Sequence, residues 1–280
     1  MGEKLENLKI VKNSKFLSDF VKYRFLLSEI VRRNIKVQYR DSVLGIFWTL
    51  LQPLLTTIVL ALVFGGFFGK SADGVSNYVI YLLCGRLLYD FFNQSTKRAM
   101  KSVRLSAGVI KKVYVPKYMY PLGNVISCFI TFLISLIILV FFIIGYSFTD
   151  KAVPITPYML LTIVPILVLF LLCLGVGMIL ATTAVFFKDA EYLYDVFCML
   201  LFYATPIVYV IGSMNMNKYV QLGIMANPLY SIISMFRACI LDGQMFNLNH
   251  LWYSLAFSIV CIIIGALMFR KKQDKFILHI

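Results

Sequence analysis

Between Arg32 and Leu55 the chain reads RRNIKVQYRDSVLGIFWTLLQPLL, a cationic amphipathic segment that passes without a linker into the first long apolar run. Lys and Arg beside a membrane span stay on the cytoplasmic side, so this junction fixes the N-terminal side as inner and sets the direction of every later span. The apolar run, about Val43 to Phe68, is long enough at about 1.5 Å per residue to cross a hydrocarbon core of about 30 Å with some tilt. Pro53 falls inside it and predicts a kink.

Further apolar runs follow at about 78–95, 118–146, 158–187, 193–211 and 252–269. With 60% hydrophobic residues in 280, the chain carries more apolar sequence than a soluble core needs. The formal charge of +14 would point to nucleic acid in a soluble protein, but 21 of the 27 Lys and Arg fall in three blocks, 1–40, 97–117 and 270–275, each flanking an apolar run. That is positive-inside topology with attraction to anionic headgroups, and no aromatic-interleaved basic face of a nucleic-acid binder accompanies it. The loop SFTDKAVPITP holds one cation and one anion, as an outer loop should. The fold class read from this is an all-α membrane protein of six transmembrane helices with both termini cytoplasmic. Residues 1–42 form an inner tail and amphipathic helix, 43–270 the transmembrane domain, and 271–280 an inner tail.

Within residues 14–36, Phe16, Phe20, Leu27 and Val31 recur at helical spacing with charges on the other faces. Such a helix either lies in the headgroup plane or packs on a partner. Residues 212–249 are too polar to span and too apolar for an ordinary loop; the stretch after Pro228 fits a re-entrant or interfacial helix, with Arg237 facing a polar vestibule or the outer headgroups. Arg86 and Asp90 lie four residues apart on one helical face. They form either an internal ion pair that packs the bundle or a polar lining. No acid occurs between Asp90 and Asp150. Lys97, Arg98, Lys101 and Arg104 predict a short basic helix, a turn opens at Ala107 and Gly108, and Lys111 and Lys112 follow; a loop this long and cationic grips lipid headgroups or docks a cytoplasmic partner.

Covalent chemistry is not in view. The only histidines are His250 and His279, and the six cysteines stand singly in apolar sequence, neither a disulfide framework nor a metal site. Asp189, Glu191 and Asp195 read as an inner turn and a helix start, where acids suit the N-terminal dipole. GGFFGKS at 65–71 misses a phosphate loop, which needs glycine where Phe64 stands. An ion-coupled symporter would show repeated halves, and no convincing repeat is found.

In this order and spacing, VRRNIKVQYRDSVLGIFWTLLQPL, KKVYVPKYMYPL, FFKDAEYLYD and NPLYSIISMFRACILDG resemble the membrane subunit of type-2 ABC exporters, in the branch that exports lipid-linked O-antigen, capsule or teichoic-acid polymers. The chain departs from that family at CGRLLYDFF, 84–92, where apolar residues are usual. The resemblance implies a bacterial inner-membrane permease, working as a homodimer with two copies of a separate cytoplasmic ATPase that holds ATP and Mg; this chain itself binds no cofactor. It further implies that the 14–36 helix is an interface helix and that the 97–117 loop contains a coupling helix seated on the ATPase, with Lys97, Arg98, Lys101, Arg104, Lys111 and Lys112 as its cations. The conduit would run between the two copies along spans one and five, with 212–249 as an outer gate.

Aromatic faces suit sugar C–H groups, and Trp48, Phe64, Phe197, Phe202, Tyr203 and Tyr209 lie on those two spans. Interfacial belts are the competing account of such rings. A polyprenyl diphosphate on the substrate would need cations near the inner leaflet, for which Arg32, Arg33, Lys36 and Arg40 are candidates, with ordinary topology charges as the alternative. A type-2 exporter of a drug, lipid or ion is the other function of the same architecture.

Overall fold

The computed structural model describes residues 23–68, 77–112, 115–148, 153–210 and 217–276. Phe16, Phe20, residues 69–71 of GGFFGKS and His279 lie outside the described residues. Among the described residues ten α-helices follow one another: α1 (residues 23–39), α2 (Trp48–Phe68), α3 (Tyr78–Leu105), α4 (Ala107–Ile110), α5 (Met119–Tyr146), α6 (Ile163–Phe186), α7 (Ala190–Ala204), α8 (Lys218–Met225), α9 (Pro228–Ile240) and α10 (Leu248–Lys272). Among the described residues, four helices are long and apolar enough to cross a membrane: α2 with the turn before it (Gly45–Phe64), α5 (Met119–Tyr146), α6 with the turn before it (Pro157–Phe186) and α10 with the turn after it (Leu248–Lys275).

Two of the expected spans take other forms. The 78–95 span is the first part of α3, a 28-residue helix in which the basic residues 97–104 simply continue the same rod. The sequence QSTKRAMKSVRL contains no Gly or Pro to break it, so the separate basic helix expected there does not form; α3 ends only at Ser106, and the four-residue α4 follows. Span five, expected over 193–211, is a 15-residue helix, about 22 Å long, closed at Thr205 and followed by non-helical chain through Pro206 to residue 210.

Helix α3 is the axis of the bundle. Its residues from Ile80 to Phe92 are buried almost all round, only Arg86 and Asp90 being partly open, and it packs on α2, α5, α6, α7 and α9. Helix α6 couples it to α10 through glycines. A β-carbon on Gly175 would lie 2.6 Å from the backbone nitrogen of Ile262, and one on Gly265 would lie 2.8 Å from the Gly175 carbonyl oxygen. Two residues on, and so on the other side of α6, a β-carbon on Gly177 would meet Ala99 of α3 at 2.9 Å. Small residues allow this backbone approach, which is how helices associate where lipid supplies no hydrophobic drive.

One end of the bundle gathers the cations. The C-terminal ends of α3, α6 and α10 and the start of α5 share a cluster of Val103, Tyr120, Val185, Phe269 and Phe276, and Lys117 donates to the carbonyl of Gln273 at 2.5 Å. Helix α1 lies at this basic end, with Leu27 and Val31 buried and Ile30 against Gly123 of α5, where a β-carbon would come within 2.7 Å of the Ile30 Cγ2. The chain then enters α2 through Gly45, whose φ of +52° is a conformation that residues with a β-carbon avoid. At the opposite end, Asn77, Asn227 and Asn247 cap α3, α9 and α10, each side chain accepting from backbone amides of the first turn.

Candidate functional site

Four of the cations expected to face a partner have partners inside the chain. Lys97 pairs with Asp195 at 2.8 Å, and Arg104 and Lys101 both reach Glu191, at 2.5 and 3.8 Å. Glu191 sits in the first turn of α7, as the dipole favours, and its side chain is 13% exposed, so the pairing is stronger than that of a surface ion pair. Arg98 donates to the side-chain oxygen of Gln38 on α1 at 2.7 Å. Lys111 and Lys112 remain exposed in the turn after α4, next to Leu105 and Val109, which are 79% and 41% exposed. Of the described part of the 97–117 stretch, the turn from Leu105 to Lys112 is the portion left open. The sequence held the signal for this pairing: an acid-free cationic stretch and an acid-rich one, 189–195, each at the end of an apolar run.

Arg86 and Asp90 form an ion pair of 2.8 Å. The guanidinium lies 5.3 Å above the ring of Phe202 on α7, and Asp90 lines a cavity of about 50 Å³ between α1, α2, α3 and α5 together with Gln38, Tyr39, Gln52 and Gln94. A polar space of that size holds water, which keeps a charged pair at this depth tolerable.

Arg237 faces neither a vestibule nor headgroups. It is 7% exposed, and it donates to the carbonyls of Tyr81 (3.2 and 2.9 Å), Pro206 (2.6 Å) and Ile207 (3.2 Å) while lying 3.4 Å from the centroid of the Tyr81 ring. The cause is the break after α7. Chain that leaves a helix at Pro206 has carbonyls without helical donors, and in a dry interior these capture a guanidinium. Gly85 makes room, since a β-carbon there would lie 2.5 Å from the guanidinium nitrogen. The same segment is held to α3 by the hydroxyls of Tyr78, donating to Val208 at 2.7 Å, and Tyr81, donating to Tyr209 at 2.9 Å. Asn227 adds a bond to Thr205 at 2.8 Å. No sequence signal beyond Pro206 announced this clasp.

The aromatic candidates divide. Trp48, Phe197 and Tyr203 are open, at 42%, 51% and 63% exposure; Phe64, Phe202 and Tyr209 are half-buried. Phe202 packs edge-on to Tyr89 at 5.1 Å beneath Arg86, and the Tyr209 hydroxyl donates to the Tyr203 carbonyl at 3.1 Å. Along α7, Tyr192, Val196, Leu200 and Tyr203 form one exposed stripe. Of the cations on α1 and beyond, Arg32 and Lys36 share one side of the helix with Arg24, whereas Arg33 is exposed elsewhere and Arg40 pairs loosely with Asp41 at 3.5 Å in open solvent.

Residues 26–241 match the family described as ABC-2 type transporter. An O-antigen export system permease protein of Klebsiella pneumoniae is 29% identical over 253 residues, 90% of this chain and 93% of its own length. One of the same description from Myxococcus xanthus is 24% identical over 94% of this chain and 98% of its own. The polysialic acid transport protein of Escherichia coli is 20% identical over 92% and 97%.

Proposed function

Because the chain belongs to the ABC-2 type transporter family, we propose that it is the permease subunit of an ATP-driven exporter that carries a lipid-linked polysaccharide, of O-antigen, capsule or teichoic-acid type, from the cytoplasmic side across the bacterial inner membrane. The observation that carries this reading is the end-to-end likeness to relatives named for O-antigen export and polysialic acid transport. Six segments cross: α2, the first half of α3, α5, α6, α7 with the chain to residue 210, and α10. The gathering of the 97–117 and 270–275 cations at one end supports an inner position for that end. Helix α3 is shielded by its neighbours, so its ion pair never meets lipid, and the non-helical chain after α7 lies against α3 and α9, where irregular backbone is tolerated.

The functional unit is a homodimer with two cytoplasmic ATPase subunits. ATP and Mg belong to those partners, and the Leu105–Lys112 turn is their seat. Large apolar side chains left open on α2 (Leu55, Val59, Leu62) and α7 (Val196, Leu200, Tyr203) supply the surface that a second copy covers and that a conduit is built along. Helices α8 and α9 close its outer end. Deleting the gene and identifying the glycan tests the reading: the polymer should vanish from the surface and accumulate, lipid-linked, on the inner leaflet. Unchanged surface glycan would overturn it.

A further inference from the structure

A groove of about 640 Å³, within the range of small-ligand sites, runs between α1 and the first half of α5. Its rim carries Arg24, Arg32 and Lys36, and among the described residues no acid lines it. The floor is apolar, made by Leu27, Val31 and Ile35 of α1 with Ile126 and Ile130 of α5. The floor does not stop there. Ile130, Leu133, Ile137, Phe141 and Ile144 continue it as an exposed stripe along α5, and the 14 helical steps from Ile130 to Ile144 extend about 21 Å, about the length of one acyl chain lying along the helix.

We propose that this groove holds one anionic glycerophospholipid of the inner leaflet, its phosphate between Arg32 and Lys36 and an acyl chain along the α5 stripe. Arg32 and Lys36 are one turn apart, about 6 Å along the axis, so both reach a single phosphate, and Arg24 adds to the field at the far end. Charge complementarity selects the anionic headgroup, and the passage from cationic rim to apolar stripe matches the passage from headgroup to hydrocarbon. The occupant is a resident lipid and not the cargo's carrier. Ser135 marks the α5 face turned to α2, its hydroxyl donating to the Thr49 carbonyl at 3.0 Å. Leu133 and Ile137, two residues to either side, lie about 160° around the helix from it. A chain on the stripe therefore sits away from α2, which the conduit reading uses.

The proposal rests on the membrane reading above and not on the glycan. The full chain, purified with any ATPase that accompanies it, is titrated with phosphatidylglycerol and with phosphatidylcholine, and bound lipid is counted by native mass spectrometry. One phosphatidylglycerol per chain is expected, with phosphatidylcholine not retained. Arg32→Gln with Lys36→Gln should weaken binding about 30-fold, at about 1 kcal/mol per cation near the surface. Ile126→Trp should abolish it by filling the floor with every charge in place, and Arg40→Gln should change nothing. All the charge sites are exposed, so the charge variants fold, and they decide the question should Ile126→Trp unfold. Equal retention of both lipids, equal binding by wild type and the double variant, or displacement of phosphatidylglycerol by equimolar undecaprenyl phosphate would overturn the proposal. Surface glycan is scored separately in the same strains: lost lipid binding with normal glycan type bears on this site alone, and a non-glycan cargo with intact lipid binding bears on the transport reading alone.

Discussion

Replacing Gly85 with alanine tests the clasp at the N-terminal end of α3, because the sign of the effect decides. In an open helix interior, Gly→Ala stabilises by about 0.5–1 kcal/mol. Here the new methyl would lie 2.5 Å from the Arg237 guanidinium nitrogen and 3.3 Å from its central carbon. Relieving the overlap moves the guanidinium by about 1 Å, which carries the 3.2 Å bond to the Ile207 carbonyl past hydrogen-bond range. Losing one bond to a charged group costs about 1.5–3 kcal/mol, so after the helix gain Gly85→Ala should destabilise by about 1–2 kcal/mol. Arg237→Met removes the donors outright. The Ile207 carbonyl then lacks its guanidinium partner and the Pro206 carbonyl keeps the Tyr81 hydroxyl at 3.3 Å, for a loss of about 2–4 kcal/mol. In that background the methyl at 85 has nothing charged to displace, and Gly85→Ala should become neutral or stabilising. Unfolding in detergent of the four proteins of this cycle gives a coupling of about 2 kcal/mol. A Gly85→Ala protein more stable than wild type, or one with the same effect in both backgrounds, refutes the reasoning.

Three more outcomes follow from the packing. Arg104→Glu places two carboxylates where Arg104 and Glu191 now meet, and should cost about 1.5–3 kcal/mol in unfolding and lower export; adding Glu191→Arg should restore both, whereas Glu191→Arg alone should not. Gly265→Ala should lower the unfolding temperature through a clash of about 1–3 kcal/mol with the Gly175 carbonyl, while Gly108→Ala, with nothing within 4 Å of the added carbon, should leave it unchanged or raised. Lys111→Glu with Lys112→Glu should leave unfolding within about 0.5 kcal/mol of wild type and reduce co-purification of the ATPase. Unchanged co-purification would remove the Leu105–Lys112 turn as its seat.

The apolar runs made most of the helices legible. Uninterrupted runs near 118–146 and 158–187 became α5 and α6 because nothing in them offers the backbone an alternative, and Asn227 with Pro228 marked the start of α9. Charges inside apolar sequence were visible, but not their partners. Arg86 and Asp90 pair locally at i,i+4, so spacing sufficed. Arg237 instead binds carbonyls 30 to 156 positions away, and backbone carbonyls carry no letter in the sequence. The cationic stretch misled for a related reason. Its acid-free composition points outward, whereas folding brings Asp195 and Glu191 onto it from α7 and leaves only the following turn open. Gly85, Gly175 and Gly265 show the same limit: a glycine that admits a distant backbone or side chain reads no differently from one in a flexible turn.

These long-range partners share a geometry that bears on how work crosses the bundle. Helix α7 is fastened to α3 along its whole length. Near the basic end Lys97 and Arg104 hold Asp195 and Glu191. Midway the Tyr89 hydroxyl donates to the Cys198 carbonyl and Arg86 covers Phe202. Past the break Tyr81 and Arg237 hold Pro206 to Tyr209. A 28-residue helix extends about 42 Å, so α3 joins the Leu105–Lys112 turn to the clasp beside α9. Packed interfaces shift between discrete arrangements and do not deform continuously, and α3 and α7 are tied at three levels, by the ion pairs, by Tyr89 with Arg86, and by Tyr81 with Arg237. On the proposed seating of the ATPase at the Leu105–Lys112 turn, these ties carry movement of α3 into α7, and the exposed stripe on α7 travels with it. The opening for a polymer is then expected against α2 or against a second copy of the chain, and not between α3 and α7.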